Sequence, residues 1–178
     1  MQLVLVHGAH GTGKTTLAKR LSKESGMPRS CKDDLKEFLF DTMGAFERDA
    51  SSALGGIITD FQWELADVFM GQGKSLMLEN AFQVDFARKH LDELTKKYPD
   101  MEVLELYCEA DGDVRRERFE SRVQSGERHP GHNDGPYELS DKESAARYAS
   151  ITGEDAQLVN TTDFQLINYD KLLAQLHP

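Results

Sequence analysis

The sequence predicts an α/β fold in which a parallel sheet of about five strands carries helices on both faces. A short apolar run, typical of a strand buried on both sides, occurs at residues 3–6, and further strand-like stretches lie at 75–78 and 103–108. They alternate with helical segments, as in βαβ units that build a parallel sheet. The chain has 178 residues and no low-complexity tract, which favours one domain over residues 1–178.

The predicted elements follow one another in a regular order. After the first strand, a helix begins at Thr15 and ends near Gly26 and Pro28, because glycine and proline terminate helices. A brief strand at 29–31 then leads to a helix over 33–40 whose first turn is acidic, as the helix dipole favours. Further helices are predicted at 52–70, 84–97, 112–124, 140–149 and 168–176, and further strands at 75–78, 103–108 and 157–160.

Composition limits the possible partners. Lysine and arginine total 21 against 31 aspartates and glutamates, a net charge of −10 that disfavours nucleic acid and anionic lipid. The chain shows neither a membrane-spanning apolar run nor the pattern of a signal peptide, so we expect a cytoplasmic protein without a membrane partner. Cys31 and Cys108 lie in strand-like stretches, which indicates reduced thiols in the core.

A phosphate-binding motif lies between the first strand and the first helix. Gly8–Thr15 match G-x-x-x-x-G-K-[ST], and the strand–loop–helix context is the one this motif requires. Glycines let successive backbone N–H groups surround phosphate oxygens, and the helix N-terminus adds partial positive charge. The alternative is a glycine-rich turn without a ligand. The motif predicts a P-loop NTPase three-layer sandwich that binds ATP through Gly8, Ala9, His10, Gly11, Thr12, Gly13, Lys14, Thr15 and Thr16.

Two residues of this motif have specific chemical roles. Lys14 is expected to reach the β- and γ-phosphates, and the Thr15 hydroxyl to ligate Mg²⁺. A switch GTPase would need further motifs. Asp41–Gly44 fit D-x-x-G, but they follow a helical pattern instead of a strand, and no suitable base-recognition motif occurs later in the chain.

Arginines are concentrated after the third clear strand, in a segment that continues into a glycine-, proline- and histidine-rich stretch. The predicted lid covers about residues 112–139, and its arginines could close over a triphosphate and exclude water. Arg118 and Arg122 share one helical face. A solvated helix with internal salt bridges is the alternative, because acids are interleaved. The arginines are Arg115, Arg116, Arg118, Arg122 and Arg128.

These features together resemble the small P-loop kinases grouped with polynucleotide kinase, zeta-type toxins, chloramphenicol phosphotransferase and many "predicted kinases". The resemblance rests on the P-loop, on Lys32–Lys36 after the second strand, and on an R-x-x-x-R pair in the lid. It implies that Asp33 acts as the base for an acceptor hydroxyl, and that Arg118 and Arg122 contact phosphate. The family pattern has arginine where this chain has lysine at position 36, which changes the geometry available for binding an anion.

The same resemblance implies a second metal-binding side chain, because the third strand of such kinases ends in an acid near Mg²⁺. Here that position is Glu79, where aspartate is commoner. Asp33 also has a rationale of its own. It lies just beyond a strand at the sheet edge where open α/β folds bind ligands, and its alternative role is to cap the helix at 34–40.

Other polar and aromatic residues are weaker candidates. His129 and His132 have H-x-x-H spacing but no further ligand pair with zinc spacing, so they are expected to contact the lid or the acceptor, or to be ordinary loop histidines. Phe61, Trp63 and Phe69 lie on the long helix, where core packing competes with a role in lining an acceptor pocket.

The sequence therefore predicts an ATP-dependent phosphotransferase that moves the γ-phosphoryl group of ATP to a hydroxyl of a small-molecule or nucleotide-like acceptor. The expected catalytic residues are Lys14, Asp33, Arg118 and Arg122, and the expected Mg²⁺ ligands are Thr15 and Glu79. Two alternatives remain open: a nucleotide-binding regulatory or toxin-like module, and a kinase of nucleic-acid 5′-hydroxyl groups.

Overall fold

Five parallel strands form one sheet in the computed structural model, which describes residues 1–44, 48–126, 129–132 and 146–178. The strands lie in the order β2-β3-β1-β4-β5, so β1 is central and pairs with both β3 and β4. This arrangement confirms the predicted α/β fold with a parallel sheet. The strands are β1 (Gln2–His7), β2 (Arg29–Cys31), β3 (Leu76–Asn80), β4 (Glu102–Glu109) and β5 (Gln157–Asn160).

The helices agree closely with the predicted segments. α3 begins before the predicted position 52, and α6 is shorter than the predicted 168–176. The predicted helix at 140–149 lies mostly outside the described residues. The helices are α1 (Lys14–Ser25), α2 (Lys32–Met43), α3 (Arg48–Gly71), α4 (Val84–Lys97), α5 (Gly112–Gln124) and α6 (Tyr169–Leu173), with 3₁₀ turns at Pro130–His132, Gly153–Asp155 and Phe164–Leu166.

Two hydrophobic clusters cover the two faces of the sheet. Leu3 and Leu5 of β1 pack with side chains of α3 and α4, whereas Val4 and Val6 pack with α1 and α6. This alternation follows from the two-residue period of a strand, and burial on both faces explains why the strand sequence is apolar without interruption. Each such buried side chain contributes about 1.5–3 kcal/mol relative to exposure. The predicted placement of helices on both faces is confirmed.

The strand order also fixes where a ligand can bind. The chain passes from β1 to β2 at one edge and returns to β3, and the next crossover passes over β1 to β4. Loops leaving β1 and β3 therefore border one crevice at the carboxyl ends of the strands, the usual ligand site of an open α/β sheet. The P-loop, the start of α2 and the end of β3 all lie at this edge.

Both cysteines lie buried in strands, Cys31 in β2 and Cys108 in β4, and neither forms a disulfide. Burial raises the pKa of the Cys108 thiol to about 12, which keeps it protonated and unreactive. Within the part of the chain that the structure describes, no helix is both long enough and apolar enough to cross a membrane.

Candidate active site

A cavity of about 850 Å³ opens at the carboxyl edge of the sheet. Residues from the P-loop, α2, β3 and α5 line it, so residues distant in sequence share one space. Most of the predicted site residues are among them: His10, Gly11, Gly13, Lys14, Thr15, Thr16, Asp33, Glu79, Arg118 and Arg122.

The conformation of the P-loop depends on glycine at two positions. Gly11 and Gly13 have φ angles of 78° and 76°, in the left-handed region that other residues rarely adopt. Gly13 is also the N-cap of α1, and a Cβ there would collide with the Phe164 ring. The loop thus turns into the helix only because this position lacks a side chain, which leaves the α1 N-terminus facing the cavity.

Lys14 is held over the loop from the first turn of α1. Its Nζ donates a hydrogen bond to the Ala9 carbonyl across 2.7 Å, and the side chain is 8 % exposed. Burial lowers the pKa of this ammonium group, and the nearby Glu79 carboxylate opposes that shift. A buried cation at a helix N-terminus is favourably placed to bind an anion that enters the cavity.

Three predicted loop residues do not line this cavity. Thr12 donates its hydroxyl to the Ala9 carbonyl across 2.8 Å, and Gly8 packs against the Cys108 carbonyl so closely that a Cβ would collide with it. Ala9 and Thr12 face a smaller cavity of about 340 Å³. Thr161, in the loop after β5, brings its hydroxyl within hydrogen-bond distance of the Thr12 carbonyl. These contacts set the shape of the loop.

Glu79 brings together groups from three elements. Its Oε2 accepts hydrogen bonds from the Thr15 hydroxyl at 3.2 Å and from the Cys31 thiol at 2.5 Å. Burial raises the pKa of Glu79, whereas the Lys14 charge lowers it. Burial, followed by the Glu79 charge, raises the pKa of Cys31 above its usual range, so the thiol keeps the proton that it donates.

Thr15 and Glu79 form an oxygen donor set suited to Mg²⁺. This ion typically takes one or two protein oxygens and completes its shell with phosphates and water, so a hydroxyl and a carboxylate in contact fit it. Within the described ranges, no group of three or more histidine, cysteine, aspartate or glutamate side chains could hold a metal ion.

The two aspartates of the first turn of α2 have different environments. Asp34 pairs with Arg29 at 3.0 Å and with Lys19 at 3.4 Å, whereas Asp33 lines the cavity. The N-cap of α2 is Cys31, so Asp33 lies inside the helix and the alternative in which it caps a helix at 34–40 is wrong.

Arg118 contacts protein carbonyls as well as the cavity. Its Nη2 donates to the carbonyl oxygens of Thr161 at 2.9 Å and Thr162 at 3.0 Å, and its guanidinium lies 4.9 Å from the centre of the Phe164 ring. Its Nη1 is buried and has no hydrogen-bond partner among the described residues. One side of this group is thus anchored, and the residue also lines the cavity. Arg122, four residues later, lines the cavity.

The remaining lid arginines have separate positions. Arg115 is buried and donates from Nε to the His10 carbonyl at 3.2 Å, so it supports the P-loop, while Arg116 is exposed. Sequence reasoning missed this structural role. Arg128 lies outside the described residues, as do residues 127 and 133–139 of the predicted lid.

His129 and His132 attach their segment to α2. Nε2 of His129 lies 3.1 Å from Asp41 Oδ1, and Nε2 of His132 lies 3.0 Å from Glu37 Oε1. The Phe40 ring stacks on His129 and meets His132 edge-on. His132 also lines the main cavity. Of the aromatic residues on α3, Trp63 and Phe69 belong to the core and Phe61 is exposed, so the three do not form an acceptor pocket.

A buried histidine at the end of β1 holds the chain segment that enters β5. His7 donates from Nε2 to the Ala149 carbonyl at 2.9 Å, and its Nδ1 accepts the Phe82 N–H at 3.2 Å. The backbone partners require the neutral ring with its proton on Nε2. Burial lowers the pKa of His7, consistent with that form.

Glu105 of β4 supports the same segment and was also missed by sequence reasoning. Its buried carboxylate accepts the backbone N–H groups of Ile151 and Thr152 at 2.7–3.0 Å. Arg88 donates from Nε to the Ile151 carbonyl at 2.8 Å. The sequence does contain a signal for this role, a carboxylate inside an otherwise apolar strand. Because a buried charge requires partners, such a residue indicates a polar contact in the core.

A protein family model and several solved structures are similar to this chain. A family model described as an AAA domain matches residues 3–133. A "putative kinase" from Chloroflexus aurantiacus J-10-fl has a similar structure, with a TM-score of 0.84, 29 % identity, and coverage of 97 % of this chain and 95 % of that one.

Two more distant solved structures share the fold. A sugar kinase from Janibacter sp. HTCC2649 has a TM-score of 0.59 and 18 % identity, covering 98 % of this chain and 91 % of its own. A gluconokinase from Sinorhizobium meliloti 1021 has a TM-score of 0.50 and 12 % identity, covering 97 % and 87 %. No curated protein gives a significant sequence match. The chain belongs to the AAA domain family whose model it matches, and its kinase-like P-loop fold agrees with the small P-loop kinase group that its motifs resemble.

Proposed function

We propose that this protein is a kinase that transfers the γ-phosphoryl group of ATP to a hydroxyl group of a small acceptor molecule. One observation carries the proposal: the P-loop with Lys14 and the carboxylate of Asp33 line the same cavity of about 850 Å³. A cavity of this size suits the phosphates of a nucleotide together with a small second substrate. The kinase-like fold supports the same reaction class.

In this proposal the protein binds the triphosphate electrostatically. The N–H groups at the start of α1 and the ammonium of Lys14 contact the β- and γ-phosphates. Arg118 lines the same cavity, and a movement of its side chain lets Nη1, which has no partner among the described residues, bind a phosphate oxygen. Arg122 adds charge from the same helix. Phosphoryl transfer needs little covalent help from the protein, so positioning and charge stabilisation supply most of the rate.

Asp33 would act on the acceptor. Its carboxylate accepts the proton of the acceptor hydroxyl as the oxygen of that hydroxyl forms a bond to the γ-phosphorus. The bond between the γ-phosphorus and the bridging β,γ-oxygen breaks, and ADP leaves with that oxygen. Thr15 and Glu79 would hold Mg²⁺, which supplies positive charge beside the β- and γ-phosphates when bound.

Two alternatives have less support. A nucleotide-binding regulatory or toxin-like module would not need a carboxylate such as Asp33 beside the phosphate site. A kinase of nucleic-acid 5′-hydroxyl groups would have to hold a polyanion on a protein of net charge −10.

The decisive experiment measures acceptor-dependent ADP release with ATP, Mg²⁺ and a panel of hydroxyl compounds. We expect at least one small acceptor to stimulate ADP release in the wild type. Lys14→Ala should abolish that stimulation, because it removes the ammonium from the phosphate site.

Tight ATP binding with no active acceptor would favour the regulatory module instead. Efficient phosphorylation of an oligonucleotide with a 5′-hydroxyl group would favour the nucleic-acid kinase. Full activity in Lys14→Ala would contradict the proposed site.

A further inference from the structure

Two lysines flank Asp33 on α2 and line the same cavity. Lys32 and Lys36 are four residues apart, so their side chains lie on one face of the helix. Both extend to Gly55 of α3. A Cβ on Gly55 would lie 3.6 Å from the Nζ of Lys32 and 3.9 Å from the Nζ of Lys36. The glycine therefore leaves open a space that both ammonium groups border.

This arrangement costs the folded protein free energy. Like charges four residues apart on a helix repel each other. Burial lowers the pKa of Lys32, and the charge of Lys36 lowers it further, although Asp33 opposes both. Lys32 forms no hydrogen bond or ion pair with any residue that the structure describes, in contrast to Lys19 and Lys97, which pair with aspartates. Lys32 is thus a partly buried cation without a hydrogen bond or ion pair to a described residue, and it lies beside a second cation at the edge of the cavity. Such a position is suited to an anion that enters the cavity.

Building on the proposed kinase function, we propose that Lys32 and Lys36 bind an anionic group of the acceptor. The acceptor is then a hydroxyl compound that also carries a carboxylate or a phosphate. Asp33, between the two lysines in sequence, faces the hydroxyl that reacts. Asp60 of α3 also lines the cavity, and its carboxylate can accept hydrogen bonds from further hydroxyl groups.

Other cations are available for the phosphates of ATP, although Lys32 lies close enough to Lys14 and Glu79 for their charges to affect its pKa. Lys14, the P-loop amides and the lid arginines already provide positive charge for the triphosphate. Lys32 and Lys36 instead share a helix with the proposed base. If they serve the acceptor, their removal should change acceptor binding and leave ATP binding nearly unchanged.

The test uses matched pairs of compounds that differ in an anionic group. The carboxylate arm compares gluconate with glucitol and glycerate with glycerol, and the phosphate arm compares glucose 6-phosphate with glucose and glycerol 3-phosphate with glycerol. Binding is measured by calorimetry on protein saturated with Mg²⁺ and a non-hydrolysable ATP analogue, and turnover is measured as ADP release. We expect an anionic member to bind at least about 10-fold more tightly than its neutral partner.

The double variant Lys32→Gln/Lys36→Gln should remove that preference, while the Kd of ATP stays within about twofold. A matched control, Lys23→Gln/Lys96→Gln, makes the same change in net charge at exposed positions outside the cavity and should keep the preference.

A second variant tests the site without removing a lysine. Gly55→Asp places a carboxylate beside both ammonium groups and should compete with the acceptor, whereas Gly55→Ala adds the carbon alone and should retain more binding.

The possible failures are distinguishable. The anionic acceptor is overturned if ADP release depends on an acceptor but the neutral compounds are preferred. It is also overturned if the double lysine variant changes the Kd of ATP and keeps the preference for anions. Both results leave the kinase proposal standing. No acceptor-dependent ADP release from any compound overturns the proposed function itself. The arm that shows the preference identifies the anion as a carboxylate or a phosphate.

Discussion

The Thr15 hydroxyl lies 3.2 Å from Oε2 of Glu79, and this contact joins the first turn of α1 to the end of β3. The two residues are 64 positions apart in the chain, and both are oxygen donors at the edge of the cavity that holds Lys14. Because Mg²⁺ prefers oxygen ligands and keeps several for phosphate and water, the pair has the chemistry of a nucleotide-bound metal site.

Glu79→Gln should therefore weaken the use of Mg²⁺. Removing the charge but keeping the size of the side chain is expected to raise the Mg²⁺ concentration needed for half-maximal ADP release by about 10–100-fold. The measurement is a Mg²⁺ titration at saturating ATP and acceptor. Glu93→Gln, on the exposed side of α4, is the control. An unchanged Mg²⁺ dependence in Glu79→Gln would exclude Glu79 as a ligand.

Asp33 and Asp34 offer a comparison between adjacent residues. Asp33→Asn should lower kcat by about 10²–10⁴-fold, because it removes the proposed base, with little change in the Kd of ATP. Asp34→Asn loses partly exposed ion pairs with Arg29 and Lys19, each worth at most about 1 kcal/mol, and should keep its kcat. Steady-state kinetics measure kcat, a binding titration measures the Kd of ATP, and urea unfolding measures the free energy of unfolding. Equal kcat values in the two variants would remove Asp33 from the mechanism.

Substitutions of Arg118 and Arg122 should both lower activity, but only the substitution of Arg118 should lower the stability of the fold. Arg118→Ala leaves the carbonyls of Thr161 and Thr162 without that donor and should lower the free energy of unfolding by about 1–3 kcal/mol, as well as kcat. Arg122→Ala should lower kcat while changing stability by no more than about 0.5 kcal/mol. Thermal or urea unfolding alongside kinetics tests the difference. If Arg122→Ala destabilised the fold as much as Arg118→Ala, its assignment to the phosphates would lose its basis.

Much of the fold could be predicted from local sequence, for a physical reason. A strand buried on both faces must be apolar throughout, as in residues 3–6, and Gly26 with Pro28 marks the end of the helix that follows. The P-loop was equally readable, since its chemistry requires glycines at fixed spacing and a lysine at the start of a helix.

The polar contacts between distant segments could not be predicted in this way. Thr161 meets the P-loop at Thr12 although 149 positions separate them, and Arg118 bonds to the loop after β5. Such bonds depend on the final packing and leave no periodic pattern in the sequence. The convergence of Lys32 and Lys36 on Gly55 is of the same kind, because it requires knowing that α3 packs beside α2.

The buried neutral form of His7 predicts a specific dependence of stability on pH. Burial lowers its pKa below the ordinary value of 6.5, so between that value and the folded pKa the unfolded chain binds a proton that the folded protein does not. This contribution to stability is present above pH 6.5 and is lost as the pH falls below it. The loss has a maximum slope of about 1.4 kcal/mol per pH unit for one proton.

His7→Gln keeps an amide that can reach the Ala149 carbonyl but cannot titrate, so the variant isolates this effect. Urea unfolding of both proteins from pH 7.5 to pH 5 should show the wild type losing stability faster than the variant below about pH 6.5. The difference in slope is the relevant quantity, because the substitution also changes packing beside Phe82 and Tyr107 and lowers stability at every pH. Parallel pH profiles would mean that His7 takes up its proton equally in the folded and unfolded states, and that its two backbone hydrogen bonds do not hold the neutral ring.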